Sequence, residues 1–224
     1  MDYKSIAIDG PSGAGKSTMA KKLAEILGFL YVDTGAIYRT LGLFALNMGA
    51  DPASEKEVLP LLPRAAIRMA YGADGLQHMY LGGEDVTQAI RQPEVSTAAS
   101  KISAIPAVRT FLLDMQRDMA KSNNVIMDGR DIGTVVLPQA DAKIFLVATP
   151  EARARRRYAE LLERGVATDY ESVLHDIRER DARDSGRATA PLKQAEDAIL
   201  VDTTNYSLGE SFELLLQTVR ERLA

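Results

Sequence analysis

Residues 10–17 read GPSGAGKS, directly after the apolar run SIAI at 5–8. This is the spacing of a phosphate loop, G-x-x-x-x-G-K-[ST]. It stands where the motif requires, with a short strand before it and a periodic helix opening at Lys16. Glycines at 10, 13 and 15 let the backbone turn so that successive N–H groups converge on a phosphate. The helix N-terminus adds its dipole, Lys16 adds a point charge, and the Ser17 hydroxyl is placed to ligate a magnesium ion. A glycine-rich turn lacking these neighbours would imply nothing; with strand and helix in place, the stretch implies a nucleoside triphosphate.

Outward from this loop, short apolar runs alternate with helical patterns. Strands are expected at 5–8, 29–32, 125–127, 143–147 and 199–201, and helices at 16–27, 36–48, 151–164, 170–184 and 207–223. That alternation predicts an α/β fold, a three-layer phosphate-loop core on a five-stranded parallel sheet. Residues 65–87, AAIRMAYGADGLQHMYLGGEDVT, break the rhythm. Their turns at ADG and GGED predict an antiparallel hairpin or small meander, followed by helices at 94–103 and 106–121. Residues 49–122 are therefore read as an insertion between core segments 1–48 and 123–224.

Composition narrows the function classes. Of 224 residues, 46% are hydrophobic, enough for a packed core, and a net charge of −4 gives no sign of a nucleic-acid or membrane partner. With no cysteine, disulfides and thiol catalysis are excluded, and a reducing, cytoplasmic setting is expected. No stretch has the length and apolarity of a membrane span or the pattern of a signal peptide. The two histidines, His78 and His175, are too few for a histidine-based metal site and are assigned no role. An N-K-x-D element, expected of a guanine-nucleotide switch, is missing, as is a transporter signature segment. A phosphoryl donor acting on a small acceptor remains.

Arginines mark where that acceptor would bind. Along the helix at 170–184, spacing of three and four picks out Tyr170, Val173, Ile177, Arg180, Asp184 and Arg187. The stripe begins apolar and continues, on the same side, as Arg, Asp and Arg. Inward charges need partners, so the stripe makes either a buried ion-pair network or a cleft for an anion. A second cluster, Arg153, Arg156 and Arg157, reads as a basic helix end or as a mobile lid at 151–165 over the triphosphate. Asp33 reads as a helix cap. Asp128 reads equally as a helper of magnesium through water or as a partner for an arginine.

The set GPSGAGKS, DTGAIYR (33–39), EDVT (84–87), AAS (98–100), PAVR (106–109), DGRDIGT (128–134) and RDARDSGR (180–187) resembles the bacterial cytidylate kinase family of nucleoside monophosphate kinases. The resemblance runs from the phosphate loop to the C-terminal helix and implies ATP as donor, magnesium, and CMP and dCMP as acceptors, in a monomer. Gly10, Pro11, Ser12, Gly13, Ala14, Gly15, Lys16, Ser17 and Thr18 would then hold the ATP phosphates, with Ser17 on the metal. Ser100, Arg109 and Asp131 would read the cytosine, while Thr34, Tyr38, Arg39 and Arg130 line the acceptor site. Arg180, Asp184 and Arg187 would meet the acceptor's sugar and phosphates. Lys16, Arg130, Arg180 and Arg187, with the lid arginines Arg153 and Arg157, would neutralise charge during transfer. Thr34 stands where many relatives have serine; either supplies a hydroxyl. Three alternatives stay open: another monophosphate kinase accepting UMP or AMP, a small-metabolite kinase of the shikimate type, and a regulatory module that binds ATP without transfer.

Overall fold

The structure is a computed structural model and describes residues 3–73 and 75–223. Asp74, within the expected ADG turn, lies outside the described residues. The chain divides into two units: Met1–Leu30 with Asn123–Ala224, and Tyr31–Ser122.

In the first unit, Ser5–Asp9 (β1) is apolar and β-branched, and Ile6, Ala7 and Ile8 are wholly buried, as befits a strand covered on both faces. Lys16–Leu27 (α1) buries Met19, Ala20, Leu23 and Ala24 at helical spacing, then stops at Gly28, whose left-handed backbone donates to Ala24 O. Leu30–Asp33 (β2) carries the chain into the second unit. The five-stranded sheet is completed by Val125–Gly129 (β6), Ala142–Val147 (β7) and Ile199–Asp202 (β8), in the order β2-β6-β1-β7-β8. β1 pairs in parallel with β6 (Ile8 opposite Asp128) and with β7 (Ile8 opposite Ile144). The C-terminal ends of these strands therefore lie side by side where the phosphate loop begins. Pro150–Glu163 (α6) and Tyr170–Ser185 (α7) form a helical hairpin closed by Ala154, Val173, Leu174 and Ile177, with Tyr158 and Tyr170 edge-to-face at 6.4 Å. Leu208–Leu223 (α8) buries Phe212, Leu215 and Val219.

In the second unit, Thr34–Asn47 (α2) starts on Asp33, whose side chain accepts from Ala36 N, so the capping reading of Asp33 holds. Glu55–Val58 (α3) is followed by the 3-10 turns of Leu59–Arg64, neither of which the periodicity had indicated. Ile67–Tyr71 (β3), Gln77–Leu81 (β4) and Glu84–Asp85 (β5) make a small antiparallel meander, with Met69 opposite Met79. Pro93–Ile102 (α4) and Pro106–Ser122 (α5) complete the unit. It begins at Tyr31, upstream of the expected residue 49, because Ile37, Leu41 and Ala45 of α2 share one apolar cluster with Val58, Met79, Ile102 and Leu112. Met19, Met79 and Met127 are buried, whereas Met48, just past α2, is exposed.

Candidate active site

The loop between β1 and α1 is cut to a glycine template. Gly10 has φ 150, and a Cβ there would stand 2.0 Å from the Leu146 carbonyl oxygen on β7. No other residue fits that close approach. Lys16 is buried, and its ammonium donates to Pro11 O at 2.7 Å, a contact that holds the side chain along the loop. Burial, then repulsion from Arg130, pushes its pKa well below the ordinary lysine value, while Asp128, Asp9 and Asp184 pull the other way. A phosphate oxygen in the loop would favour the charged ammonium.

Ser17 Oγ donates to Asp128 Oδ2 at 2.7 Å. Of the two readings of Asp128, the observed partner is thus the loop serine. A hydroxyl and a buried carboxylate side by side are hard oxygen donors of the kind magnesium takes when it keeps waters and shares phosphate oxygens. Among the described residues no cluster of three or more His, Cys, Asp and Glu offers a separate metal cage. The residues present fit magnesium at Ser17 and Asp128.

After β6 the chain turns through Arg130 and Asp131 into a π-helical turn, Ile132–Val136. Asp131 is buried, as are Asp9 and Asp184. Asp184, on the last turn of α7, accepts from Arg130 Nε at 2.7 Å on one oxygen and from Arg187 on the other. Burial would raise the Asp184 pKa, but Arg130 and Arg187, with Arg180 behind them, hold it below the ordinary carboxylate value. The stripe read along α7 therefore does face inward: Val173 and Ile177 are buried, Asp184 is buried, and Arg178 and Glu179 are exposed. Its charged half makes the ion-pair network of the first sequence reading, Asp184 with Arg130 and Arg187, and both Arg130 and Asp184 act on the charge of Lys16 in the phosphate loop.

The two candidate lid arginines separate. Arg153, in the first turn of α6, is buried. Its guanidinium donates to Ala148 O at 2.8 Å, to Ser12 O at 2.9 Å, and to both oxygens of Asp181. With those donors engaged it clamps the phosphate loop to α7. Arg156 is tied to Thr203 O at 2.6 Å, and Arg157, one turn beyond Arg153, is half exposed beside Glu160.

In the second unit, Thr34, Tyr38 and Arg39 lie on the first turns of α2, Ser100 on α4 and Arg109 on α5. Arg39 Nη2 donates to Asp33 at 2.7 Å, which directs its guanidinium back to the helix start. Arg109 is buried, donates to Ser103 O at 3.1 Å, and its guanidinium lies 5.4 Å from the Tyr38 ring centroid. The Ser100 hydroxyl is buried and makes no hydrogen bond among the described residues. A hydroxyl so placed is suited to a ligand's donor or acceptor.

Two acidic residues escaped the sequence reading. Asp9 accepts from Ile132 N at 2.8 Å and Gly133 N at 2.7 Å, and Asp181 pairs with Arg153. The one available signal for Asp9 was an acid closing an otherwise buried apolar run. For Asp181, off the α7 stripe, there was none.

A glycine-cut phosphate loop, a serine–aspartate pair at its end and arginines gathered on a parallel sheet define a phosphate-loop kinase. Comparison with known proteins gives the family. The cytidylate kinase family model matches residues 6–221, and the chain belongs to that family. Curated cytidylate kinases from Caldicellulosiruptor bescii and Solibacter usitatus are each 50% identical, over 95% and 97% of this chain and 93% of theirs. One from Caldanaerobacter subterraneus is 49% identical over 96% of this chain and 94% of its own. An uncharacterized protein from Eubacterium ventriosum, 12% identical with 98% of each chain covered, has a TM-score of 0.50 and shares the fold alone.

Proposed function

We propose that the chain transfers a phosphoryl group from ATP to CMP, and to dCMP, releasing ADP and the nucleoside diphosphate. The observation that carries the reading is family membership across nearly the whole chain, with the phosphate loop inside the matched span. Lys16 and the loop amides hold the donor phosphates. Ser17 and Asp128 hold a magnesium ion, whose charge offsets that of the phosphates. Arg130, Arg180 and Arg187 bind and orient the phosphoryl groups, with Asp184 keeping their side chains in register. A phosphomonoester acceptor is anionic near neutral pH, so it needs positioning rather than a general base, in keeping with a site rich in arginine and without histidine. Arg157, half exposed on α6, is available for a closing lid at 151–165; Arg153 is assigned to holding the loop.

Base choice follows from donor and acceptor chemistry. Asp131 accepts from the exocyclic amine of cytosine, and Arg109 with the Ser100 hydroxyl donates to its acceptors. Thr34, Tyr38 and Arg39 complete the acceptor site. Uracil would set a carbonyl against Asp131 and leave both unpaired. The enzyme works as a monomer in the cytoplasm, without nucleic-acid or membrane partners; no helix among the described residues is long and apolar enough to cross a membrane. A coupled assay across CMP, dCMP, UMP, AMP and GMP tests the reading. CMP and dCMP should dominate; equal turnover of UMP or AMP would sink the base assignment, and ATP binding without transfer would leave a regulatory module.

A further inference from the structure

Asp9 plays no part in the roles assigned above, yet it is 4% exposed at the point where β1 enters the phosphate loop. Its two oxygens take the N–H groups of Ile132 and Gly133, the amides that open the π-helical turn directly after Arg130 and Asp131. That turn closes back on Asp131, whose carbonyl accepts from Val135 N at 2.9 Å and Val136 N at 3.2 Å. The surroundings are tight: a Cβ added to Gly133 would stand 3.4 Å from Asp9 Oδ2 and 3.2 Å from Lys143 Cδ. We propose that Asp9 is a positioning residue for acceptor recognition, its carboxylate anchoring the turn that aims Asp131 and so coupling the start of the phosphate loop to base choice. This rests on the reading of Asp131 as the base-reading group.

A carboxylate kept for stability alone would be comfortable as an anion, and this one is not. Burial raises its pKa to about 6 against the two backbone N–H groups that lower it; Asp131 repels it from the turn and Lys16 attracts it from α1, while the Lys143 stem passes beside Gly133 on the β7 side. Near neutral pH the fold thus holds a buried charge that its surroundings disfavour, and what that charge secures is the turn. Asparagine has the same shape but keeps a single acceptor and presents an amide N–H to the second backbone N–H. Asp9→Asn therefore removes one anchor without opening a cavity.

The test measures kcat and KM for CMP, UMP and ATP in the wild type, Asp9→Asn, Asp131→Asn and Gly133→Ala, with melting temperatures at about pH 7.5. Taking the CMP-to-UMP ratio of kcat/KM cancels titration of the acceptor phosphate, which both substrates share. Asp9→Asn should lower that ratio by about tenfold or more, mainly through a higher KM for CMP. Its KM for ATP should stay within about twofold and its melting temperature should not fall. Gly133→Ala crowds the same carboxylate from the other side and should shift the ratio the same way; it carries the test if Asp9→Asn does not fold. An unchanged ratio in the folded variant, alongside a lowered ratio in Asp131→Asn, overturns the positioning role alone. If Asp131→Asn also leaves the ratio unchanged, the base-reading assignment fails and this proposal with it. Equal losses on both acceptors together with a lower melting temperature make Asp9 merely structural and overturn it as well.

Discussion

At Asp184 two basic side chains meet one carboxylate that water scarcely reaches. That changes what removal of Arg187 should do. Arg187→Ala takes away a phosphate-binding guanidinium, and turnover on CMP should fall about 10²- to 10³-fold. Because Asp184 keeps Arg130, the loss of stability should be partial, about 1–3 kcal/mol in urea unfolding. Full turnover in a destabilised Arg187→Ala protein would confine Arg187 to the ion pair. Asp131→Asn should act on the base instead: the preference for CMP over UMP should erode by about 10²-fold while the KM for ATP holds. Equal losses on the two acceptors, read from steady-state kinetics, would remove Asp131 from base reading. Residues that work through local pattern, such as Gly10, Lys16 and Asp33, were legible in the sequence. Asp9 was not, since the amides it holds are 123 and 124 positions away and only the fold brings them to it.

Among the elements, the helices and strands were expected within one or two residues, because apolar spacing and capping act locally. α3 and the 3-10 turns of Leu59–Arg64 were not, and two further features depend on the fold. The π-helical turn at Ile132–Val136 gives its first two amides to Asp9, far off in the sequence, and α2 belongs to the second unit because its apolar face finds partners there. The α6–α7 hairpin likewise depends on a tertiary link, Arg153 to Asp181 and to Ser12 O. Asp181→Ala strips a guanidinium that is 3% exposed of its carboxylate; the partner was itself 23% exposed, so the cost should be about 1–3 kcal/mol rather than that of a wholly buried pair. As the same guanidinium holds the Ser12 carbonyl, the KM for ATP should rise by about tenfold while that for CMP moves less than about twofold. A lost urea midpoint with an unchanged KM for ATP would show that Arg153 braces the helices without shaping the loop.

Over the whole molecule, buried carboxylates set opposing pH dependences. Asp184, held below the ordinary value of 3.8, contributes stability that is present above about pH 4 and is lost as pH falls through its lowered folded pKa. Asp9, raised to about 6, does the reverse: its contribution is complete below 3.8 and is lost as pH rises through about 6. The shift of roughly two units corresponds to about 3 kcal/mol at most. Urea unfolding between about pH 4 and about pH 7 should therefore show Asp9→Asn gaining on the wild type as pH rises. A constant difference between the two proteins would mean that Asp9 ionises with little penalty.

The strand order carries a kinetic consequence. β1 precedes the other strands of its sheet in the sequence and lies at the sheet's centre, yet its neighbours begin only at Val125 and Ala142. At synthesis rates of about 5–20 residues per second, Ser5 waits roughly 6–24 s for Val125 to be made. The unit at 31–122 is contiguous and entirely translated in that interval. Nascent chains should thus acquire the meander and its helices first, with the catalytic sheet zipping around an already waiting central strand, and chains arrested once residue 122 has cleared the ribosome should resist protease in the second unit while β1 remains open to cleavage.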